Sequence, residues 1–143
     1  MEPQSETVWR QADKYRVPKI AFVNKLDRIG ADFFGTVEMM AEKLSTRPLV
    51  LQLPVGVEDD FTGVIDLVDM KQIVWETDTK GASYEAVDIP GDLIETAQTY
   101  RDQLIEAVAE YYDDIIESYL SDASIDTQNL KIALRKATIR LGL

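Results

Sequence analysis

The stretch Ile20-Ala21-Phe22-Val23-Asn24-Lys25-Leu26-Asp27 constrains this chain more than any other. Its four leading apolar residues leave no polar face, the pattern of a β-strand covered on both sides. The run then ends in Asn-Lys-x-Asp. Ligands of open α/β sheets sit at the carboxyl ends of the strands, and these polar side chains fall there. The spacing predicts a strand over Lys19–Asn24. Before it, Gln4–Tyr15 reads as a helix with Val8, Ala12 and Tyr15 on one face. After the loop Arg28-Ile29-Gly30, Asp32 caps a second helix that runs to about Leu44. Helix–strand–helix alternation is α/β in character. No sheet partner for the strand is evident elsewhere in the chain.

Pro48 marks a change. Leu49–Leu53, Gly63–Val68, Lys71–Trp75 and Tyr84–Ile89 are short, mostly alternating and split by turn residues, which predicts a small antiparallel sheet. Asp59–Gly63 and Asp78–Gly81 read as its hairpin loops. From Asp92 the pattern is helical: Leu93, Ala97, Tyr100, Leu104, Val108, Tyr111, Ile115 and Tyr119 fall three or four residues apart, as on one long helix. Asp126 or Thr127 starts a last helix with Leu130, Leu134, Ala137 and Leu141 facing inward. The fold class is α/β, α+β taken overall.

Asn-Lys-x-Asp has a definite chemistry. Guanine offers an N1–H and a 2-amino group side by side, and the Asp27 carboxylate can accept from both. Adenine offers neither donor there, so a base-facing carboxylate left unpaired rejects it. Asn24 can donate its amide to the opposite edge of the base, and Lys25 can lay its aliphatic stem along the base face. Leu26 is free to pack. Asp60-Phe-Thr-Gly63 and Asp88-Ile-Pro-Gly91 imitate a γ-phosphate sensor. Both come after the base motif, the reverse of the order in guanine-nucleotide switches, and both read better as turns. No Gly-x-x-x-x-Gly-Lys-Ser/Thr cradle for phosphates is present.

Composition excludes several other chemistries. The chain has no histidine and no cysteine, which removes His-based zinc sites, Ser-His and Cys-His nucleophile pairs and any disulfide framework. A reducing cytoplasm fits this. No apolar run approaches the length of a membrane span, and no signal-peptide pattern opens the chain. The net charge of −11 is unevenly placed: residues 1–48 carry 8 basic and 7 acidic side chains, residues 49–91 carry 2 and 9, and residues 92–143 carry 5 and 10. Acidity of this kind disfavours a nucleic-acid backbone and suits a basic protein partner.

Several longer stretches carry a resemblance. Glu2-Pro-Gln-Ser-Glu-Thr-Val-Trp-Arg-Gln11, Val17-Pro-Lys-Ile-Ala-Phe-Val-Asn-Lys-Leu-Asp-Arg28 and Gly30-Ala-Asp-Phe33 resemble bacterial elongation factor G. So do Gln52-Leu-Pro54, Gly63-Val-Ile-Asp-Leu67, Ile73-Val-Trp75 and Leu134-Arg-Lys-Ala137. Leu26 stands where many members have Met. The resemblance implies an internal piece of a translational GTPase that drives ribosomal translocation. Residues 1–46 would be the end of a P-loop-type GTP-binding domain, and residues 47–143 its inserted subdomain. Asn24, Lys25 and Asp27 would be the guanine-specificity residues for GTP and GDP. The P-loop, the switch regions with their Mg2+ ligands and the catalytic switch histidine would lie outside the chain, so the piece would be non-catalytic alone and hold nucleotide weakly.

A second surface stands out. Asp102, Glu106, Glu110, Asp113 and Glu117 follow one another at steps of 4, 4, 3 and 4, on a helix face away from the Leu104/Val108/Ile115 stripe. By its pattern it is a solvated face or a docking stripe for a basic partner. The resemblance favours docking of the ribosomal stalk protein at Glu106, Glu110 and Asp113. The competing class is a self-sufficient acidic interaction module without nucleotide. Cut from its sheet neighbours, Ile20–Val23 is also expected to stay exposed and to recruit a second copy.

Overall fold

In the computed structural model the described residues are 3–75, 83–112, 115 and 125–140. Helix α1 spans Pro3–Lys14 and helix α2 spans Phe33–Leu44. A four-stranded sheet follows, made of β1 (Gln52–Val55), β2 (Gly63–Asp66), β3 (Lys71–Trp75) and β4 (Tyr84–Val87). Helices α3 (Ile94–Ala109) and α4 (Thr127–Ile139) close the described chain. The strands lie in sequence order, each antiparallel to the next.

Alternation decides which face of this meander is buried. Leu53 stands opposite Ile65, and Ile65 opposite Gln72, so one row of side chains crosses three strands on the covered side. Leu53, Ile65 and Leu67 are buried there against Leu104, Val108 and Leu130 of the helices. Ala97, Ala133 and Ala137 are also fully buried, and their small side chains let the helices approach closely. Asp66 accepts the Val68 and Asp69 amides at 2.8 and 3.0 Å, an Asx turn that closes the β2–β3 connection. Asp126 accepts from the Gln128 and Asn129 amides, so it caps α4, as its position before the apolar run predicts.

Arg101 ties the helical layer to the sheet. Its Nη1 donates to the carbonyls of Leu67 and Val68 at 2.5 and 2.7 Å. Burial pulls its pKa down, and Asp102, Asp69 and Asp66 oppose that pull. At the far edge Lys71 pairs with Asp88 at 2.7 Å and holds that carboxyl below the usual carboxylate range. The pair favours folding above the unfolded carboxylate pKa and loses that contribution as pH falls through the folded one.

Three sequence expectations need correction. Lys19–Asn24 forms no strand: residues 17–25 lie outside any ladder, and no described strand pairs with them. Nor does one long helix run past Glu110. Helix α3 ends at Ala109, where the backbone turns and the Glu110 amide bonds the Val108 carbonyl. Ile115 is nonetheless buried, as the stripe requires. The first strand is Gln52–Val55 rather than Leu49–Leu53, whereas Lys71–Trp75 lies at its expected place. The Asp78–Gly81 turn, Tyr119 and Leu141 lie outside the described residues.

Replacing Arg101 by Met keeps much of the side-chain volume and strips two buried carbonyls of a charged donor. We expect a loss of about 2–3 kcal/mol. Urea unfolding of the pair of proteins measures this, and an unchanged midpoint contradicts the latch.

Candidate functional site

The Asn24–Asp27 stretch leaves the extended segment through a tight local turn. Asn24 Oδ1 accepts its neighbour's amide, Lys25 N–H, at 2.8 Å. Lys25 takes a left-handed backbone with φ 65°, and Arg28 N–H returns to its carbonyl at 3.2 Å. Asn24, Lys25 and Asp27 are exposed, while Leu26 is half-buried toward a cleft. The structure therefore separates the polar motif residues from the packing position, as their chemistry suggests. Among the described residues no hydrogen bond or ion pair occupies the Asp27 carboxylate.

The loop is not held by its own bonds alone. The short 3-10 turn Glu58–Asp60, between β1 and β2, reaches it from the sheet. Glu58 N–H donates to the Leu26 carbonyl at 3.1 Å, and Glu58 Oε1 accepts from Gly30 N–H at 2.7 Å. Sequence reading finds only a hairpin loop here. Gly56, followed by an acidic triplet, is the available signal, but the partner 28 residues earlier cannot be read from it.

A second tether fixes the approach to the loop. Lys19 pairs with Asp13 of α1, and its ammonium stands 4.7 Å from the centre of the Trp9 ring. From α2, Phe33 packs on the main core, and the Phe34 ring lies 6.0 Å from that of Tyr100. Between the extended segment, α2, β1 and α4 lies a cleft of about 940 Å³. Ile20, Phe22, Val23, Val37 and Met40 help line it, but Asn24, Lys25 and Asp27 do not. Ile20 and Phe22 are nevertheless 70% and 88% exposed, so the cleft does not cover them.

The other residues singled out in the sequence lie apart from this loop. Glu106 is exposed on α3, and Glu110 is exposed at its end; Asp102 is engaged by Gln98 at 2.8 Å. Asp113 and Glu117 fall outside the described residues. Asp60 ends the 3-10 turn and Gly63 opens β2, while Asp88 pairs with Lys71, so both imitations of a phosphate sensor sit at turns and strand ends. Among the described residues no group of acidic side chains is arranged to hold a metal ion, and no helix is long and apolar enough to cross a membrane.

Residues 1–120 match the family described as the elongation factor Tu GTP binding domain. The chain belongs to that family. It is similar to elongation factor G of Orientia tsutsugamushi, at 54% identity in strain Boryong and 53% in strain Ikeda. Each match runs over 139 residues, 97% of this chain and 20% of the relative, so the chain spans about a fifth of the length of these curated relatives. A crystal structure from Thermus thermophilus superposes with a TM-score of 0.79 at 25% identity, over 98% of this chain and 20% of that one. The fold class read from the sequence, an α/β piece followed by a small antiparallel sheet and helices, agrees with membership in this family.

Proposed function

We propose that this chain is an internal segment of elongation factor G, a cytoplasmic GTPase that uses GTP to drive ribosomal translocation. The observation that carries the reading is 54% identity along 97% of the chain. Within it, Asn24, Lys25 and Asp27 bind guanine. Their exposure on a turn whose Leu26 packs inward supports that role. Residues 1–46 are the end of the GTP-binding domain and residues 47–143 its inserted subdomain. The apolar cleft beside Ile20 and Phe22 is where further strands of the α/β sheet pack in the whole factor. The phosphate cradle, the Mg2+ ligands and the hydrolytic machinery belong to sequence outside this chain.

The base contact has a direct test. Xanthine carries an oxygen where guanine carries its 2-amino group, so an amide in place of the carboxylate suits xanthine. In the full-length factor, Asp27→Asn is expected to weaken GDP about a hundredfold and to favour xanthosine diphosphate. Unchanged base preference overturns the assignment. The 143-residue chain alone, without a phosphate cradle, is expected to bind GDP only very weakly, and micromolar binding in calorimetry contradicts that expectation.

The acidic stripe is read as the docking face for the ribosomal stalk protein. Exposed Glu106 and Glu110 support this; Asp113 lies beyond the end of α3 and outside the described residues, and enters on the resemblance alone. Reversing all three to Lys is expected to slow stalk-dependent GTPase activation about tenfold at low salt, through the encounter rate. An unaltered rate sinks the docking assignment.

Separated from its sheet, the chain is also expected to associate with itself through Ile20–Val23. Exposed apolar side chains on an unladdered segment favour strand pairing between copies. Sedimentation velocity should show a dimer that Phe22→Lys disperses. A monomer at every concentration contradicts this.

A further inference from the structure

We propose that Glu58 is a positioning residue for the guanine-specificity loop, an inference that rests on reading Asn24, Lys25 and Asp27 as the base-binding set. Glu58 does not face the base. It holds the backbone that carries Asp27.

The geometry is a two-point grip. One bond goes from Glu58 N–H to the carbonyl of Leu26, the residue just before Asp27. The other runs from Gly30 N–H, three residues after Asp27, to the Glu58 carboxylate. Asp27 therefore sits on a short arc pinned at both ends from one residue. The loop's other backbone bonds, Arg28 N–H to Lys25 and Ala31 N–H to Arg28, are local and fix nothing relative to the sheet. A carboxylate that must accept from two adjacent base donors needs its position fixed to about 0.5 Å.

The backbone of Glu58 supports a role for its side chain. Its φ is 53°, a left-handed conformation in which glycine is free and other residues are strained. Arg16, Lys25, Ser45 and Met70 share such a φ, so the strain alone assigns nothing; at Glu58 it coincides with the carboxylate contact to Gly30 N–H. The hairpin enforces the conformation. Gly56 turns with φ 78°, and a Cβ there would meet the Asp60 carbonyl oxygen at 1.9 Å, so only glycine fits. Thr62 N–H closes the turn on the Val55 carbonyl at 2.9 Å, and Phe61 N–H bonds the Glu58 carbonyl at 3.1 Å. Leu53 and Ile65 then anchor the hairpin strands in the core. The grip thus links the main core to Asp27 through rigid steps.

Three substitutions in the full-length factor separate positioning from bulk stability. Glu58→Gln keeps an acceptor for Gly30 N–H. Glu58→Ala removes the acceptor and keeps the backbone strain. Glu58→Gly removes the acceptor and relieves the strain, so it should melt no lower than the parent. With fluorescent GDP in stopped flow, Ala and Gly are expected to release nucleotide about three- to tenfold faster, and Gln to stay within about twofold of the parent. Wild-type release from Glu58→Gly overturns the positioning role. So does equal loss in all three variants together with a lowered melting temperature, which would mark Glu58 as structural only. Asp27→Asn is measured beside them for base preference. If it leaves that preference unchanged, the guanine reading fails and the positioning role with it; if it shifts the preference, the Glu58 variants decide the positioning role by themselves.

Discussion

Everything in this chain leans on one apolar contact, the covered face of the sheet against helices α3 and α4. Ile65, Leu67, Leu104, Val108 and Leu130 are the large side chains that water does not reach there. Each contributes about 1.5–3 kcal/mol by burial. Alanines at 97, 133 and 137 allow the helices to come close enough for those side chains to meet. Helix α1 and the Asn24–Asp27 loop have no buried residues of their own. Their positions come from what reaches them: Phe33 and Phe34 through α2, Lys19 through α1, and Glu58 from the sheet.

The extended stretch before the loop shows what this core cannot supply. Ile20-Ala-Phe-Val23 has no polar face because its sequence suits a strand with a layer on each side and a neighbour on each edge. Among the described residues it meets only a cleft on one side and no strand at all. Residues 17–25 form neither helix nor strand; Pro18 restricts Val17 before it, and the all-apolar run after it has no helical face to bury. The ladder is missing because ladders need two partners, and a sequence pattern records a residue's own preference without its neighbour.

That difference explains which features are legible in advance. Capping by Asp32 and Asp126 is legible because a cap is a local contract between one side chain and amides two or three residues on. The span Lys71–Trp75 is legible because turn residues bound it. The inward face of α4 at Leu130 and Ala137 follows from helical spacing alone. The end of α3 at Ala109 escapes the pattern, because the same stripe of apolar residues continues past it to Ile115, and periodicity does not register a turn that preserves burial. Asn24, Lys25 and Asp27 can be picked out by spacing, and the guanine role proposed for them rests on that chemistry. The contact of Glu58 with the loop cannot be read this way, since it joins a residue of left-handed φ to a loop 28 residues away.

The grip of Glu58 on the loop also has a direction that local chemistry conceals. A bond that lowers the free energy of the ordered loop does so whether or not a base is bound, and it raises affinity by removing an ordering cost from the binding step. On the proposed guanine role, linkage makes the effect reciprocal: nucleotide that selects the ordered loop would stabilise the β1–β2 hairpin by the same free energy. The hairpin strands belong to the sheet whose covered face meets α3, the helix that carries Glu106. Among the described residues, a partner that bound α3 and strained the sheet has two links toward Asp27: Glu58, and the aromatic contacts that Phe33 and Phe34 of α2 make with the core and with Tyr100. The rings supply a soft, sliding contact, whereas the carboxylate at 2.7 Å fixes a distance. Of the two routes, the hydrogen-bonded one is the route that can carry a small displacement without losing it to repacking.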